Sequence, residues 1–115
     1  MTTILTHQMC LIFPSLTKQG NPITSREELL EKAKAFLIGL NGGATTRTIF
    51  RSPAQGGCVI DGQTVEEYVD ELRSWSDVLD ERKMRAFLQY AKYLVKSLEQ
   101  DSIAVELDGI MYLVK

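Results

Sequence analysis

The segment Ile103-Ala-Val-Glu-Leu-Asp-Gly-Ile-Met-Tyr-Leu-Val114 decides the fold class, because two alternating apolar runs flank an Asp-Gly pair. Asp-Gly is a preferred pair in two-residue hairpin turns, where both central residues take a positive φ. A turn of that length aligns three apolar pairs on one face: Leu107 with Ile110, Val105 with Tyr112, and Ile103 with Val114. That face has to be covered, and we expect a helix over residues 81–99 to cover it.

Residues 81–99 carry the clearest helical pattern in the chain. Acidic residues stand at the start of this segment, where the positive end of the helix dipole favours carboxylates. Apolar residues then recur at the 3.6-residue period of a single helix face. These residues are Met84, Phe87, Leu88, Ala91, Leu94, Val95 and Leu98.

The remaining strands are shorter and less sharply bounded. Residues 3–13 mix β-branched and apolar side chains and end at Pro14, which predicts a strand stopped by proline. Residues 44–51 alternate in polarity, as a half-exposed strand does. Cys58-Val59-Ile60 is a short apolar run, and we expect it to pair with residues 44–51 in a loose hairpin.

Two capping boxes of the type Ser/Thr-x-x-Glu, at residues 25–28 and 64–67, predict helix starts. The first precedes a helix over 26–40, which ends at an Asn-Gly-Gly sequence. The second precedes further apolar residues at helical spacing, and side chains that compete with the helical backbone follow at 74–77. Segment 65–99 is therefore expected to be one kinked helix or two separate helices.

The predicted element order is β-α-β-β-α-β-β, and it indicates an α+β fold. We expect a two-layer α/β sandwich with a mixed or antiparallel sheet, helices on one face and a C-terminal Asp-Gly hairpin. This order is compatible with a ferredoxin-like arrangement plus an extra strand. The length of 115 residues is typical of one domain with one core, so residues 1–115 are expected to form a single domain.

Composition and charge narrow the class of protein. A net charge of −2 gives no general attraction to nucleic acid or anionic lipid. Two cysteines are too few for a disulfide framework, which favours a reducing compartment. The N-terminus lacks the basic start and apolar core of a signal peptide, and no apolar run is long enough to span a membrane. The sequence therefore predicts a cytoplasmic protein with no membrane partner.

Metal and covalent motifs are missing from the sequence. His7 and Cys10 are spaced like half of a zinc site, but side chains three residues apart on a strand point to opposite faces. Cys58 lies in an apolar run, which raises rather than lowers a thiol pKa. The glycine pairs do not match a phosphate-binding loop. We therefore predict no catalytic residues, no cofactor and no metal.

Eight carboxylates occupy residues 61–81, where Arg73 is the only basic residue. They lack the spacing of a calcium loop, and a solvated helix face is the simplest interpretation. A hydrolase carboxylate pair or a divalent-ion site is the alternative. The carboxylates are Asp61, Glu66, Glu67, Asp70, Glu71, Asp77, Asp80 and Glu81.

The charge changes sign immediately afterwards, within the predicted helix. Spacings of 3, 4, 3 and 4 place five polar residues in one stripe, which we call the basic stripe. Tyr90 and Tyr93 lie beside it, on the side away from the apolar positions. The basic stripe consists of Arg82, Arg85, Gln89, Lys92 and Lys96.

These features support three hypotheses of different classes. The leading one is a non-enzymatic interaction or regulatory domain that binds a protein partner, a second copy included, through the basic stripe, Tyr90 and Tyr93. The second is a weak nucleic-acid-binding protein that uses the stripe together with Arg47 and Arg51. The third is a small enzyme that uses the acidic 61–81 segment.

Overall fold

The computed structural model describes residues 2–51, 58–60, 63–65 and 67–115. This part of the chain contains two helices and seven strands. In order they are β1 (His7–Pro14), α1 (Arg26–Asn41), β2 (Thr45–Arg51), β3 (Cys58–Ile60), β4 (Gln63–Val65), β5 (Glu67–Ser76), α2 (Glu81–Ser97), β6 (Ile103–Leu107) and β7 (Ile110–Val114).

Five strands form one antiparallel sheet in the order β2-β5-β1-β6-β7, and β3 pairs separately with β4. Taken with the two helices, the strands of the large sheet follow the predicted order β-α-β-β-α-β-β. Helix α1 connects two strands that flank β5, and α2 connects two strands that flank β1. This is the split β-α-β arrangement of a ferredoxin-like fold, with β7 added at one edge.

The predicted helix after residue 64 is wrong, because residues 67–76 form strand β5. β5 lies inside the sheet and pairs with β1 on one side and β2 on the other. Alternate residues of β5, namely Asp70, Leu72, Ser74 and Ser76, are buried. Pairing on both sides outweighs the local helical pattern. In the described part of segment 65–99, α2 is therefore the single helix, and strands precede it.

The predicted hairpin between residues 44–51 and 58–60 is also wrong. β2 pairs with β5, and β3 pairs with β4. The strand at residues 44–51 was correctly located, but its partner is the segment that had been assigned to a helix. β5 therefore lies beside β2, where Cys58-Val59-Ile60 was expected to lie.

The helices begin and end by different means. Ser25 has φ 57° and makes no capping hydrogen bond with its side chain, so the first predicted capping box does not form. α1 ends as predicted, with Gly42 in the left-handed region at φ 93°. α2 is capped by Asp80, whose carboxylate accepts a hydrogen bond from the Lys83 backbone N–H at 2.8 Å.

Both helices contribute to one core on one face of the sheet. Met9, Leu11 and Phe13 of β1 lie in it together with buried residues of α1, α2, β5 and β6. The intervening β1 residues point the other way, since successive side chains on a strand alternate between faces. We call the face opposite the helices the open face, because neither helix covers it.

A buried ion pair joins α1 to the sheet at the edge of this core. Arg26 Nη2 donates to Asp70 Oδ2 at 2.8 Å, and Arg26 Nε donates to the Pro14 carbonyl at 2.8 Å. The guanidinium also lies over the rings of Phe13 and Tyr68, at 5.4 and 5.2 Å from their centroids. Each charged group is thus matched inside the protein, as burial of a charge requires.

The C-terminal hairpin has the predicted register, with Leu107 opposite Ile110. Asp108 and Gly109 have φ values of 52° and 82°, as a two-residue turn of this type needs. The expected complete cover by α2 is wrong at the outer strand. Ile110 and Tyr112 on the edge strand β7 remain 58% and 44% exposed, whereas Val114 at the end of this strand is buried in the core.

The hairpin turn is attached to the start of β1 by the carboxylate of Asp108. Its Oδ2 accepts from His7 Nδ1 at 2.9 Å, and its Oδ1 accepts from the Gln8 backbone N–H at 2.9 Å. These hydrogen bonds, first that of His7 and then that of Gln8, hold the pKa of Asp108 below its ordinary value. His7 therefore has a structural partner.

Asp108→Asn should reduce stability at neutral pH and have little effect in acid. A carboxylate with a depressed pKa stabilises the fold above its unfolded pKa, and this contribution is lost as the pH falls through the folded value. Urea unfolding of both proteins, at neutral pH and below the ordinary aspartate pKa, measures the difference. Asp101→Asn, at an exposed carboxylate, is the control. An Asp108→Asn effect that is equal at both pH values would contradict this linkage.

Candidate functional site

A network of charged side chains lies in the middle of the open face. Arg73 is its centre, and it projects from β5, a strand with neighbours on both sides. Arg73 Nη1 donates to Gln8 Oε1 at 2.6 Å and to Glu106 Oε2 at 3.0 Å. Arg73 Nη2 donates to Glu71 Oε2 at 3.1 Å. We call Gln8, Glu71, Arg73 and Glu106 the open-face network.

The strand register explains why these side chains meet. Cys10 of β1 is paired with Arg73 on one side and with Glu106 on the other. Residues paired across strands project to the same face, so the guanidinium and the carboxylate reach toward each other over Cys10. The side chains of Glu71, Glu106 and Arg73 are 12%, 21% and 25% exposed, so a ligand at this face can reach them.

Arg47 extends the site toward the edge of the sheet. It is paired with Glu71 in the register of β2 and β5, which places it on the open face. Its side chain is exposed, and it forms no ion pair with any residue in the described part of the chain. The open face thus offers two carboxylates that share one guanidinium and, beside them, a second guanidinium that is exposed.

Cys10 lies directly beneath the network and is fully buried. Burial raises the pKa of Cys10 to about 12, and this effect outweighs the lowering by nearby Arg73. The thiol is therefore protonated at neutral pH and is a poor nucleophile. The side chain of Cys58 lies outside the described part of the chain.

Two clefts flank the network. The larger one, of about 450 Å³, adjoins Trp75, which is two residues from Arg73 along β5. The smaller one, of about 150 Å³, lies toward the other end of the sheet beside Ile12 and Val69. Gln8 connects the network to the larger cleft, because it is paired with Trp75 and accepts from Arg73.

The acidic residues predicted as one cluster are separated by the fold. Asp70 and Glu71 point to opposite faces of β5, the first to buried Arg26 and the second to the open-face network. Asp80 caps α2, and Glu81 pairs with Arg85 at 2.7 Å. Asp77 is exposed after β5, the side chain of Glu67 is not described, and Asp61 and Glu66 lie outside the described residues.

The basic stripe is exposed along α2, as its spacing predicts. Tyr90 is half-buried and stacks on Phe36 of α1, with ring centroids 4.2 Å apart, whereas Tyr93 is exposed. The grooves along the stripe, of about 430 and 440 Å³, are lined by α2 as far as the described residues show. Arg47 lies on the open face, away from this helix, and the side chain of Arg51 is not described.

The described residues contain neither a metal-binding cluster nor a membrane-spanning helix. No group of three or more His, Cys, Asp or Glu side chains in that part of the chain is arranged to hold a metal ion. None of its helices is long and apolar enough to cross a membrane. His7 and Cys10 lie on opposite faces of β1, as the strand geometry predicts.

Most of the open-face network was missed by the sequence analysis. Gln8, Glu106 and Trp75 were not singled out, and Arg73 was noted only as an exception among carboxylates. The signal was the alternation of residues 71–76, in which Glu71, Arg73 and Trp75 occupy odd positions and Leu72 and the two serines occupy even ones. A period of two predicts a strand with one polar face.

The chain is similar to known proteins in its structure. No protein-family model and no curated protein sequence matches the chain. Two solved structures share the fold: phage SAM lyase in complex with S-methyl-5′-thioadenosine, with a TM-score of 0.65, and phage SAM lyase in its apo state, with a TM-score of 0.63. Both are 16% identical to this chain, and the alignments cover 100% of it and 95% or 94% of the phage chains.

This comparison overturns the leading functional hypothesis. The prediction of a non-enzymatic interaction or regulatory domain is contradicted, because the solved structures that share the fold along the whole chain are those of an enzyme. The third hypothesis, a small enzyme with acidic functional groups, agrees better with this finding. Within the acidic 61–81 segment, the structure places Glu71 in the open-face network.

Cys10 is expected to resist thiol reagents in the native protein. In a Cys58→Ser background it is the one remaining cysteine, and its raised pKa reduces the thiolate fraction near pH 8 by roughly a thousandfold relative to a free thiol. The rate of reaction with a chromogenic disulfide, measured with and without denaturant, tests this. Equally fast reaction of the native protein would show an accessible, activated thiol.

Proposed function

We propose that the chain is an enzyme that binds S-adenosylmethionine (SAM) at the open face and releases S-methyl-5′-thioadenosine. The observation that carries the proposal is the open-face network itself, with Arg47 beside it, in a fold shared along its whole length with phage SAM lyase. At 16% identity the comparison supports the fold, and the charges on the open face support the substrate.

The charges of the open face complement those of SAM. At neutral pH SAM carries a sulfonium, an ammonium and a carboxylate, so it presents two cations and one anion. Glu71 and Glu106 supply two carboxylates, and their common partner Arg73 holds both in place. Arg47 supplies a cation for the substrate carboxylate. A flat surface with one sign of charge would bind only part of this molecule.

The products define the bond that breaks. S-methyl-5′-thioadenosine keeps the sulfur, the methyl group and the adenosyl group, so cleavage separates the sulfur from the methionyl side chain. The electron pair of that bond stays on sulfur, which becomes a neutral thioether. Because a lyase adds no water, the carbon that loses sulfur forms its new bond to an oxygen of the fragment's own carboxylate, which closes a lactone and leaves no proton or atom unaccounted for. The reaction therefore needs no protein nucleophile, which is consistent with the protonated thiol of Cys10.

This charge change assigns a role to the two carboxylates. Glu71 and Glu106 attract the sulfonium and the ammonium of SAM. The thioether product is neutral, so the same carboxylates attract it much less. Glu71 and Glu106 should therefore contribute more to substrate binding than to product binding. Arg73 acts as a positioning residue, because its hydrogen bonds hold the carboxylates toward the same point of the open face.

Glu71→Gln should raise the KM for SAM by about tenfold, equivalent to ~1.4 kcal/mol, and change the affinity for S-methyl-5′-thioadenosine much less. The amide keeps the size of the side chain but loses its charge. Chromatographic separation of SAM and its thioether product gives the initial rates, and inhibition by the product gives its affinity. Glu106→Gln is a second variant in case the first disturbs folding.

The matched control is Glu27→Gln, an exposed glutamate in the first turn of α1. It removes the same charge from the helix layer and should leave both constants unchanged. Failure of the wild-type protein to form the thioether product from SAM would reject the proposed function. A KM that rises equally in Glu71→Gln and Glu27→Gln would reject the role of the open-face carboxylates.

A further inference from the structure

We infer that the cleft beside Trp75 is the subsite for the purine nucleoside part of the ligand. We call it the Trp75 cleft. The inference deepens the proposed function and rests on it for the identity of the substrate, but nucleoside binding can be measured without turnover. The cleft is lined by Leu5, Asn41, Gly42, Gly43, Ala44, Thr45 and Trp75.

The volume of the Trp75 cleft suits a nucleoside. At about 450 Å³ it falls inside the usual range for small-molecule sites, about 300–1,000 Å³. The cleft at the other end of the network, of about 150 Å³, falls below that range. Size therefore distinguishes between the two clefts that adjoin the charged groups.

The lining of the Trp75 cleft suits a purine base. The indole of Trp75 offers a flat aromatic surface, and stacking of a base on such a ring contributes about 1–3 kcal/mol. Leu5 and Ala44 add apolar walls, and Thr45 adds a hydroxyl group. A Cβ placed on Gly42 or Gly43 would meet no atom within 4 Å, so the space in front of this backbone is open to a ligand.

The position of the Trp75 cleft places a bound base close to the open-face network. Trp75 and Arg73 project from the same face of β5 two residues apart, which corresponds to about 7 Å along the strand. A base stacked on Trp75 would therefore lie about 7 Å along the strand from Arg73, a distance that the ribose can span to the open-face network. Gln8, paired with Trp75 and bonded to Arg73, lies between the two parts of the site.

The grooves on α2 are less suitable as a nucleoside subsite than the Trp75 cleft, although they are of similar size. Among the described residues, those that line these grooves all belong to one helix, and none of them is aromatic. The Trp75 cleft, in contrast, is enclosed by the segment before β1, the end of α1, the start of β2 and β5. Convergence of several elements is what produces a concave site.

Intrinsic fluorescence provides a direct test, because Trp75 is the only tryptophan in the chain. We expect saturable quenching, or a shift of the emission maximum, on titration with S-methyl-5′-thioadenosine and with adenosine, and no change with methionine. Calorimetric binding of the thioether without any fluorescence change would place the base elsewhere. Absence of binding by both methods would overturn the subsite.

Substitutions at Trp75 separate stacking from folding. Trp75→Ala should raise the Kd for S-methyl-5′-thioadenosine by at least tenfold. Trp75→Phe should keep the Kd within about threefold of the wild-type value, because an aromatic ring remains. Leu113→Ala, at an exposed position on the outer strand, is the matched control and should bind normally. Thermal unfolding of each variant shows whether the fold is kept. Equal affinity of Trp75→Ala and wild type would overturn the subsite.

The subsite and the proposed function fail in different ways. Trp75-dependent binding of the nucleoside without cleavage of SAM would support the Trp75 cleft and reject the lyase activity. Cleavage of SAM with an unchanged KM in Trp75→Ala would support the activity and reject the cleft. Cleavage together with a KM for SAM raised in Trp75→Ala, and retained in Trp75→Phe, is the result that we expect.

Discussion

The antiparallel pairing of β1 with β5 is the constraint on which both the core and the candidate site depend. It runs from His7 opposite Ser76 to Pro14 opposite Val69, and it fixes which side chains share a face. Leu11 and Leu72 meet in the core, while Cys10 and Arg73 meet on the open face. A slip of one residue would exchange the two faces and place the charged network in the apolar layer.

Polar contacts hold this register at both ends of the strand pair. At one end, Arg26 connects the first residue of α1 to Asp70 and to the carbonyl of Pro14. Near the other end, Arg73 Nη1 of β5 donates to Gln8 Oε1 of β1 at 2.6 Å. A buried ion pair contributes little net stability, but an alternative register would leave its charges unmatched. These contacts therefore specify one pairing of the strands more than they strengthen it.

The sequence was informative wherever local pattern and tertiary environment agree. The Asp-Gly hairpin, α1 and α2 were predicted because turn chemistry and helical periodicity act over a few residues. β5 was missed because Tyr68, Val69 and Leu72 also fit a helical spacing, and its pairing with β1 joins residues about sixty positions apart. The open-face network was missed for the same reason, since Gln8, Arg73 and Glu106 meet only after the strands pair.

The open face also explains how a chain of 115 residues combines a core with a binding surface. Two helices cover one face of the sheet, and the other face must then carry groups that tolerate water. At the centre of the open face, the Glu71–Arg73–Glu106 network is partly buried. It is therefore less exposed to solvent than a surface pair such as Lys32–Glu28. Its carboxylates are therefore already oriented and partly desolvated before a ligand arrives, so binding a cation there costs less than at an ordinary surface carboxylate.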